Sequence, residues 1–181
     1  MLECDVIIIG GGPAGASLAY YLAGKGLDII LVEKKKYIDH PVRCAEFVPS
    51  NVVNLFDFKI NGINNCIEIL ETYIAASFSE KFRLFKQTAA PGFVLDRDIL
   101  VSNIISRFKK LGGTFFNNTR AISIKQQYGF LISTLFDNNS ENYLTVKSII
   151  LAGADGPISF TGRIIGSLNK SLQLQFSRAR T

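Results

Sequence analysis

Histidine and cysteine are scarce in this chain, with one and three copies respectively among 181 residues. His40 stands before Pro41 in a loop-forming stretch, which leaves no basis for a serine–histidine triad or a histidine metal site. Cys4, Cys44 and Cys66 are odd in number and lack metal-ligand spacing, so neither a disulfide framework nor a zinc cluster is expected. Long apolar runs are missing too. Val6-Ile7-Ile8-Ile9 has no basic leader and is broken at once by three glycines, unlike a signal peptide or a spanning helix. The expected location is cytoplasmic, at most peripheral to a membrane. Charge of one sign is also modest: 20 basic against 15 acidic residues give +5, which suits phosphate ligands or an anionic lipid surface and does not call for nucleic acid. No repeat or low-complexity tract occurs, and Asp137-Asn138-Asn139-Ser140 reads as a surface turn.

With 48% hydrophobic and 19% charged residues, the chain has the composition of one globular domain, or one and part of a second. Asp5–Ile9 is a short β-branched run. It stops at Gly10-Gly11-Gly12-Pro13-Ala14-Gly15 and gives way to Ala14, Leu18 and Leu22 at helical spacing, with Gly24 and Gly26 as the stop. Ile29–Val32 is a second buried strand ending at Glu33. Further on, Ile67–Ala75 and Lys81–Phe85 have strand composition and suggest an antiparallel pair. Asp96 is placed to cap a helix whose apolar face is Leu100, Val101, Ile104, Ile105, Phe108 and Leu111, ending at Gly112-Gly113. Ala121–Lys125, Phe130–Phe136 and Tyr143–Val146 suggest a meander. Ser148–Ala152 is a buried strand running into Gly153-Ala154-Asp155-Gly156.

Gly10, Gly12 and Gly15 satisfy the GxGxxG pattern between a strand and a helix, and Glu33 closes the next strand 18 residues after Gly15. Gly10 permits the tight turn, Gly12 lets a pyrophosphate approach the backbone, and Gly15 lets helix and strand pack closely. Pro13 and Ala14 open the helix, whose amino end faces the phosphates with free N–H groups. A carboxylate at Glu33 suits ribose hydroxyls and argues against a 2′-phosphate, so the ligand is FAD or NAD rather than NADP. The strand-rich segments and the late Asp155-Gly156 turn depart from a simple NAD dehydrogenase and favour FAD. For Asp155 itself the alternative is a turn or cap residue.

Leu151–Ser159 with Gly162-Arg163 resembles the second fingerprint of flavoproteins related to the aromatic hydroxylases. Together with Pro41-Val42-Arg43-Cys44-Ala45-Glu46 and the Leu95-Asp96-Arg97-Asp98 helix start, it makes the chain resemble the FAD-dependent geranylgeranyl reductases from Asp5 to about Arg163. That resemblance implies FAD as cofactor, an isoprenoid lipid as substrate and an electron donor of unstated identity. It places Arg43 along the FAD phosphates or adenosine, Cys44 near the isoalloxazine and substrate cavity, and Ala45, Arg97, Asp155 and Gly156 among the cofactor-binding residues. Cys44 is the candidate catalytic residue, since an ordinary thiol, with pKa about 8.5, is mostly protonated at neutral pH and can give a proton. A packing role for Cys44 and structural ion pairs for Arg43 and Arg97 remain the alternatives. Phe47 stands where the family has a small glycine.

The expected fold is α/β: a Rossmann-like FAD-binding domain with an inserted β-meander and part of an antiparallel substrate-domain sheet. The expected divisions are 1–50 for the first βαβ unit and flavin loop, 51–95 for substrate-domain strands, 96–166 for the FAD-binding domain continued, and 167–181 for the start of a truncated substrate domain. Relatives carry a further glycine-aspartate motif that has no match here, so a noncatalytic FAD-binding fragment is one rival reading. A flavin-dependent monooxygenase is the other. Lys34-Lys35-Lys36 reads as a solvated face or a contact for anionic headgroups.

Overall fold

The computed structural model describes residues 1–38, 46–53, 55–56, 67–69, 72–78, 81–87 and 92–168. Expectations for His40, Arg43, Cys44, Ala45, Cys66 and the segment after 168 lie outside the described residues. The chain divides into two compact units, one of residues 1–40 with 104–181 and the other of 41–103.

The first unit is built on a six-stranded sheet. Its strands are β1 (Leu2–Ile9), β2 (Ile29–Val32), β8 (Thr114–Phe116), β9 (Thr119–Gln127), β10 (Phe130–Asp137) and β11 (Asn142–Gly153), in the order β8-β2-β1-β11-β10-β9. β8, β2, β1 and β11 run parallel, whereas β11, β10 and β9 form an antiparallel meander. The mixture follows from connection length: parallel neighbours need crossovers, here supplied in part by α1 (Pro13–Leu22), while tight turns suffice for the meander. β1 leads to β2 on one side and has β11 on the other, so the chain order reverses between β1 and β11. A crevice opens at the carboxyl ends of strands at such a switch point.

β11 joins the two halves. Its residues 142–148 pair with β10 and its residues 146–153 with β1, so the expected separate strands Tyr143–Val146 and Ser148–Ala152 are one element. Among the described residues, the part beyond Ser148 has β1 alone as a neighbour, and Ile149 and Ile150 there are 56% and 54% exposed. Ile7, Ile9, Ile30 and Val32 cluster with Ala121, Leu135 and Val146 of the meander. Each of the Ile, Leu and Val side chains contributes about 1.5–3 kcal/mol on burial, so this cluster holds the meander onto the parallel sheet.

Helix α1 begins where expected but buries a different face. Gly15, Ala16 and Ala19 are buried, whereas Leu18 and Tyr21 are exposed. Small residues let the helix lie close on β1 and β2, which the Ala14, Leu18, Leu22 spacing did not reveal.

The second unit contains β3 (Phe47–Pro49), α2 (Ser50–Val53), β4 (Ile67–Ile69), β5 (Thr72–Phe78), β6 (Lys81–Gln87) and β7 (Gly92–Val94). β7 lies between β3 and β4, and β5 pairs with β6. The expected strand Ile67–Ala75 is therefore two strands in two sheets. The Phe47 ring lies over Gly92, where a Cβ would come within 2.5 Å of Phe47 Cζ. Helix α3 (Arg97–Lys110) buries Leu100, Val101, Ile104, Ile105 and Phe108. Asp96 holds the N-cap position, its carbonyl accepting from Leu100 N at 3.0 Å, and Glu46 Oε1 accepts from Arg97 N at 3.1 Å. The helix closes at Gly112-Gly113, with Gly113 N donating to Phe108 O at 3.1 Å.

Candidate functional site

Two glycine turns meet at the carboxyl ends of β1 and β11. In the first, Gly10 has φ of 110°, a conformation other residues rarely adopt, and a Cβ on it would lie 2.5 Å from the Ala154 carbonyl carbon and 2.8 Å from Asp155 N. The second turn is thus in backbone contact with the first, and Ala154 N donates to Ile9 O at 2.7 Å. Gly15 is equally confined: a Cβ there would strike the Gly10 carbonyl oxygen and come within 3.2 Å of Ala154 Cβ. Gly12 is the opposite case: among the described residues nothing lies within 4 Å of its Cβ position. Two glycines are needed to assemble the crevice, and the third leaves open space in front of it.

That space faces the amino end of α1. Gly12 is the N-cap and makes no side-chain cap, Pro13 is the first helical residue, and Ala16 N bonds Gly12 O at 2.9 Å. Ala14 and Gly15 therefore have amides with no acceptor inside the helix, and the helix dipole adds partial positive charge. Glu33 is 8% exposed, accepting from Gly11 N through Oε2 at 2.7 Å and from Lys35 N through Oε1 at 2.8 Å. These bonds hold the carboxylate beside the glycine turn while leaving lone pairs for hydroxyl donors. Open cradle, uncapped helix and anchored carboxylate together fit the pyrophosphate and ribose of a dinucleotide.

Asp155 is committed differently. Its Oδ2 accepts from Phe160 N at 2.7 Å and Thr161 N at 3.0 Å, and its Oδ1 from Ser159 Oγ at 2.6 Å and Thr161 Oγ1 at 2.7 Å. It thereby caps α4 (Phe160–Leu168). Burial works against the charged form, but the Ser159 and Thr161 bonds outweigh it and hold the carboxyl below its usual range. Gly156, with φ of 83°, carries the chain out of the turn.

The structure brings Gly10, Gly12, Pro13, Ala14, Gly15, Glu33, Asp155 and Gly156 to one end of one sheet. Arg97 starts α3 in the other unit. Arg43, Cys44 and Ala45 lie outside the described residues. Cys4, the described cysteine, is half-buried on β1, where burial and then the Asp5 charge push its thiol up to about 11 and keep it protonated. Among the described residues no group of His, Cys, Asp and Glu could hold a metal ion. Nor is any helix there long and apolar enough to cross a membrane. Sequence reasoning included Ala154 and Ser159 in the second fingerprint without giving either a role, and missed Thr161. Their signal is an aspartate followed by hydroxyl residues just before the apolar Ile164-Ile165, the pattern of a helix cap.

Residues 5–40 match the family model described as FAD dependent oxidoreductase. The digeranylgeranylglycerophospholipid reductase of Methanosarcina acetivorans is 32% identical over 164 residues, covering 90% of this chain and 40% of that protein. Its counterpart in Methanocaldococcus jannaschii is 30% identical, covering 94% and 42%. Among solved structures, a geranylgeranyl bacteriochlorophyll reductase-like protein from Thermoplasma acidophilum superposes with a TM-score of 0.73 at 26% identity, covering 86% of this chain and 40% of that one. The flavin-dependent monooxygenase PieE, solved with FAD and substrate, superposes with a TM-score of 0.67 at 18% identity and so shares the fold. The chain spans about two-fifths of the length of the curated relatives it matches. Over that span the resemblance to the geranylgeranyl reductases holds, and the superposed structures share the Rossmann-like α/β fold.

Proposed function

We propose that this chain is the FAD-holding part of an oxidoreductase that reduces carbon–carbon double bonds of isoprenoid, geranylgeranyl-type chains during membrane lipid synthesis. The observation that carries the reading is the similarity, over 90% of the chain, to digeranylgeranylglycerophospholipid reductases. The α1 amides beside Gly12 hold the pyrophosphate and Glu33 accepts from the ribose hydroxyls. FAD, when bound and reduced, supplies the hydride for one alkene carbon. In this reading Cys44 gives the proton to the other carbon, Arg43 and Arg97 lie along the cofactor with Ala45, and the protein is cytoplasmic, meeting the membrane surface peripherally to reach its lipid. The electron donor is a separate reductant.

Calorimetry on the purified chain provides the first test, with FAD expected to bind more tightly than NAD; the reverse order overturns the reading. In the complete enzyme, anaerobic dithionite reduction with a geranylgeranyl lipid should give a product heavier by two hydrogens per bond. Cys44→Ser should slow that step more than it weakens FAD binding. A second reading, a noncatalytic FAD-binding module completed by further protein, is favoured by the exposed Ile149 and Ile150 on the one-sided part of β11. It expects FAD binding by this chain to be weak and alkene reduction to be absent until the remainder is supplied. A monooxygenase would instead yield an oxygenated product in air.

A further inference from the structure

We propose that Thr161 is a positioning residue for the dinucleotide crevice, fixing the second glycine turn against the first. The proposal rests on the FAD-binding reading for its consequence, but the contact is on the protein itself. Thr161 is 1% exposed and holds Asp155 at two points, its amide on Oδ2 at 3.0 Å and its hydroxyl on Oδ1 at 2.7 Å. A Cβ on Gly153 would strike Thr161 Oγ1 and lie 2.9 Å from Thr161 Cβ, so the backbone of the turn rests directly on this side chain. On the turn's other side is Gly10, whose own Cβ position is 2.8 Å from Asp155 N. Gly153-Ala154-Asp155 is therefore clasped between Gly10 and Thr161, and both contacts exist because the facing residue is glycine.

Ser159 completes the clasp. Its hydroxyl lies 2.6 Å from Asp155 Oδ1 and 3.0 Å from Thr161 Oγ1, and it accepts from Gly162 N at 2.7 Å. With Asp155 satisfied by four donors, one from Ser159 and three from the first two residues of α4, its carboxylate serves the turn rather than a ligand. Movement at residue 161 is transmitted through Gly153 and Ala154 to Gly10, whose turn sets the width of the phosphate cradle. A threonine suits both demands, since its hydroxyl bonds the carboxylate while its Cβ fills the gap above Gly153.

Thr161→Val keeps the shape and removes the hydroxyl; Thr161→Ser keeps the hydroxyl. Ser133→Ala is the control, an equally buried hydroxyl on β10 opposite Val146, seven residues before Gly153 along the sheet. ADP and FAD affinity are read by calorimetry, and amide hydrogen exchange at Gly10 and Ala154 by NMR. Thr161→Val should weaken ADP and FAD by about tenfold and speed exchange at both amides by a similar factor, with Thr161→Ser close to wild type. Ser133→Ala should leave nucleotide affinity and exchange at both amides unchanged. Unchanged affinity and exchange in Thr161→Val would overturn the proposal. If the wild type itself binds neither nucleotide, the dinucleotide reading fails, while the exchange comparison still decides whether Thr161 fixes the turn.

Discussion

Helices α1 and α4 start from the same end of the same sheet, after parallel neighbours β1 and β11, yet their amino ends are finished in opposite ways. α1 begins at a bare glycine, with no side chain on its first amides and open space before Gly12. α4 begins under a carboxylate, and Phe160 N, Thr161 N and Gly162 N all bond to Asp155 or Ser159. An open helix end attracts an anion, whereas one already holding an aspartate repels it. The pair teaches that a glycine turn before a helix is not by itself a phosphate site. What separates the two is whether the chain has spent the helix amides on its own side chains.

The largest break in this comparison comes from Gly15, which lets the open turn exist. Gly15→Val would drive a side chain into the Gly10 carbonyl and Ala154 Cβ. It should cost about 3 kcal/mol or more, read by urea unfolding, because backbone on both sides leaves no room for repacking. Gly12→Val is the next largest effect and separates binding from folding. Its φ of −71° suits valine and its Cβ position is empty, so stability should fall by no more than about 1 kcal/mol, the difference between glycine and valine as an N-cap. FAD affinity should nevertheless drop by about 100-fold or more, since the new side chain fills the cradle. A folded Gly12→Val protein that binds FAD as before would remove the open-cradle argument.

How much of this contrast could be read from sequence depends on how local each feature is. The open turn was legible because its strand, glycines, helix and Glu33 fall within 29 residues, from Asp5 to Glu33, and each glycine has its own steric reason. The closed turn was read only as Asp155-Gly156 near a cofactor, with a cap as the alternative. The hydroxyls of Ser159 and Thr161 hint at a cap, but the order of residues does not tell that all four bonds of Asp155 go to Ser159 and the first turn of α4. The three-residue strands β3, β7 and β8 escaped notice because so few residues show no period, and their pairing is fixed by distant partners. β11 looked like two strands because it changes neighbour midway, from β10 to β1, and its exposed Ile149 and Ile150 break the alternation.

Asp155→Asn tests the closed end with a smaller effect. The carboxamide keeps the shape but loses the charge, so unfolding free energy at pH 7 should fall by about 1 kcal/mol. The pH dependence has a definite sign. Because the folded carboxyl titrates below its usual value, its contribution is complete above the unfolded value of about 4 and is lost as pH falls through the lower folded value. Wild type and Asp155→Asn should therefore converge in stability below about pH 4. A difference that persists or grows under acid would mean that the carboxylate is not held by these bonds.

The smallest effect is expected within β11 itself, at Ser148, five residues before Gly153. Ser148 is 1% exposed and, among the described residues, its hydroxyl has no hydrogen-bond partner, as is also true of Ser133 on the paired strand β10. At the closed turn buried hydroxyls stabilise because they bond a carboxylate; here an equally buried one carries a desolvation cost with no bond to offset it. Ser148→Ala removes that cost and leaves a void of about one oxygen atom, two small terms of opposite sign. The change in unfolding free energy should lie within about 0.5 kcal/mol of zero or be a slight gain. A loss above about 1 kcal/mol would mean that Ser148 bonds a buried water, and that polar groups in β11 are satisfied along the strand as well as at its end.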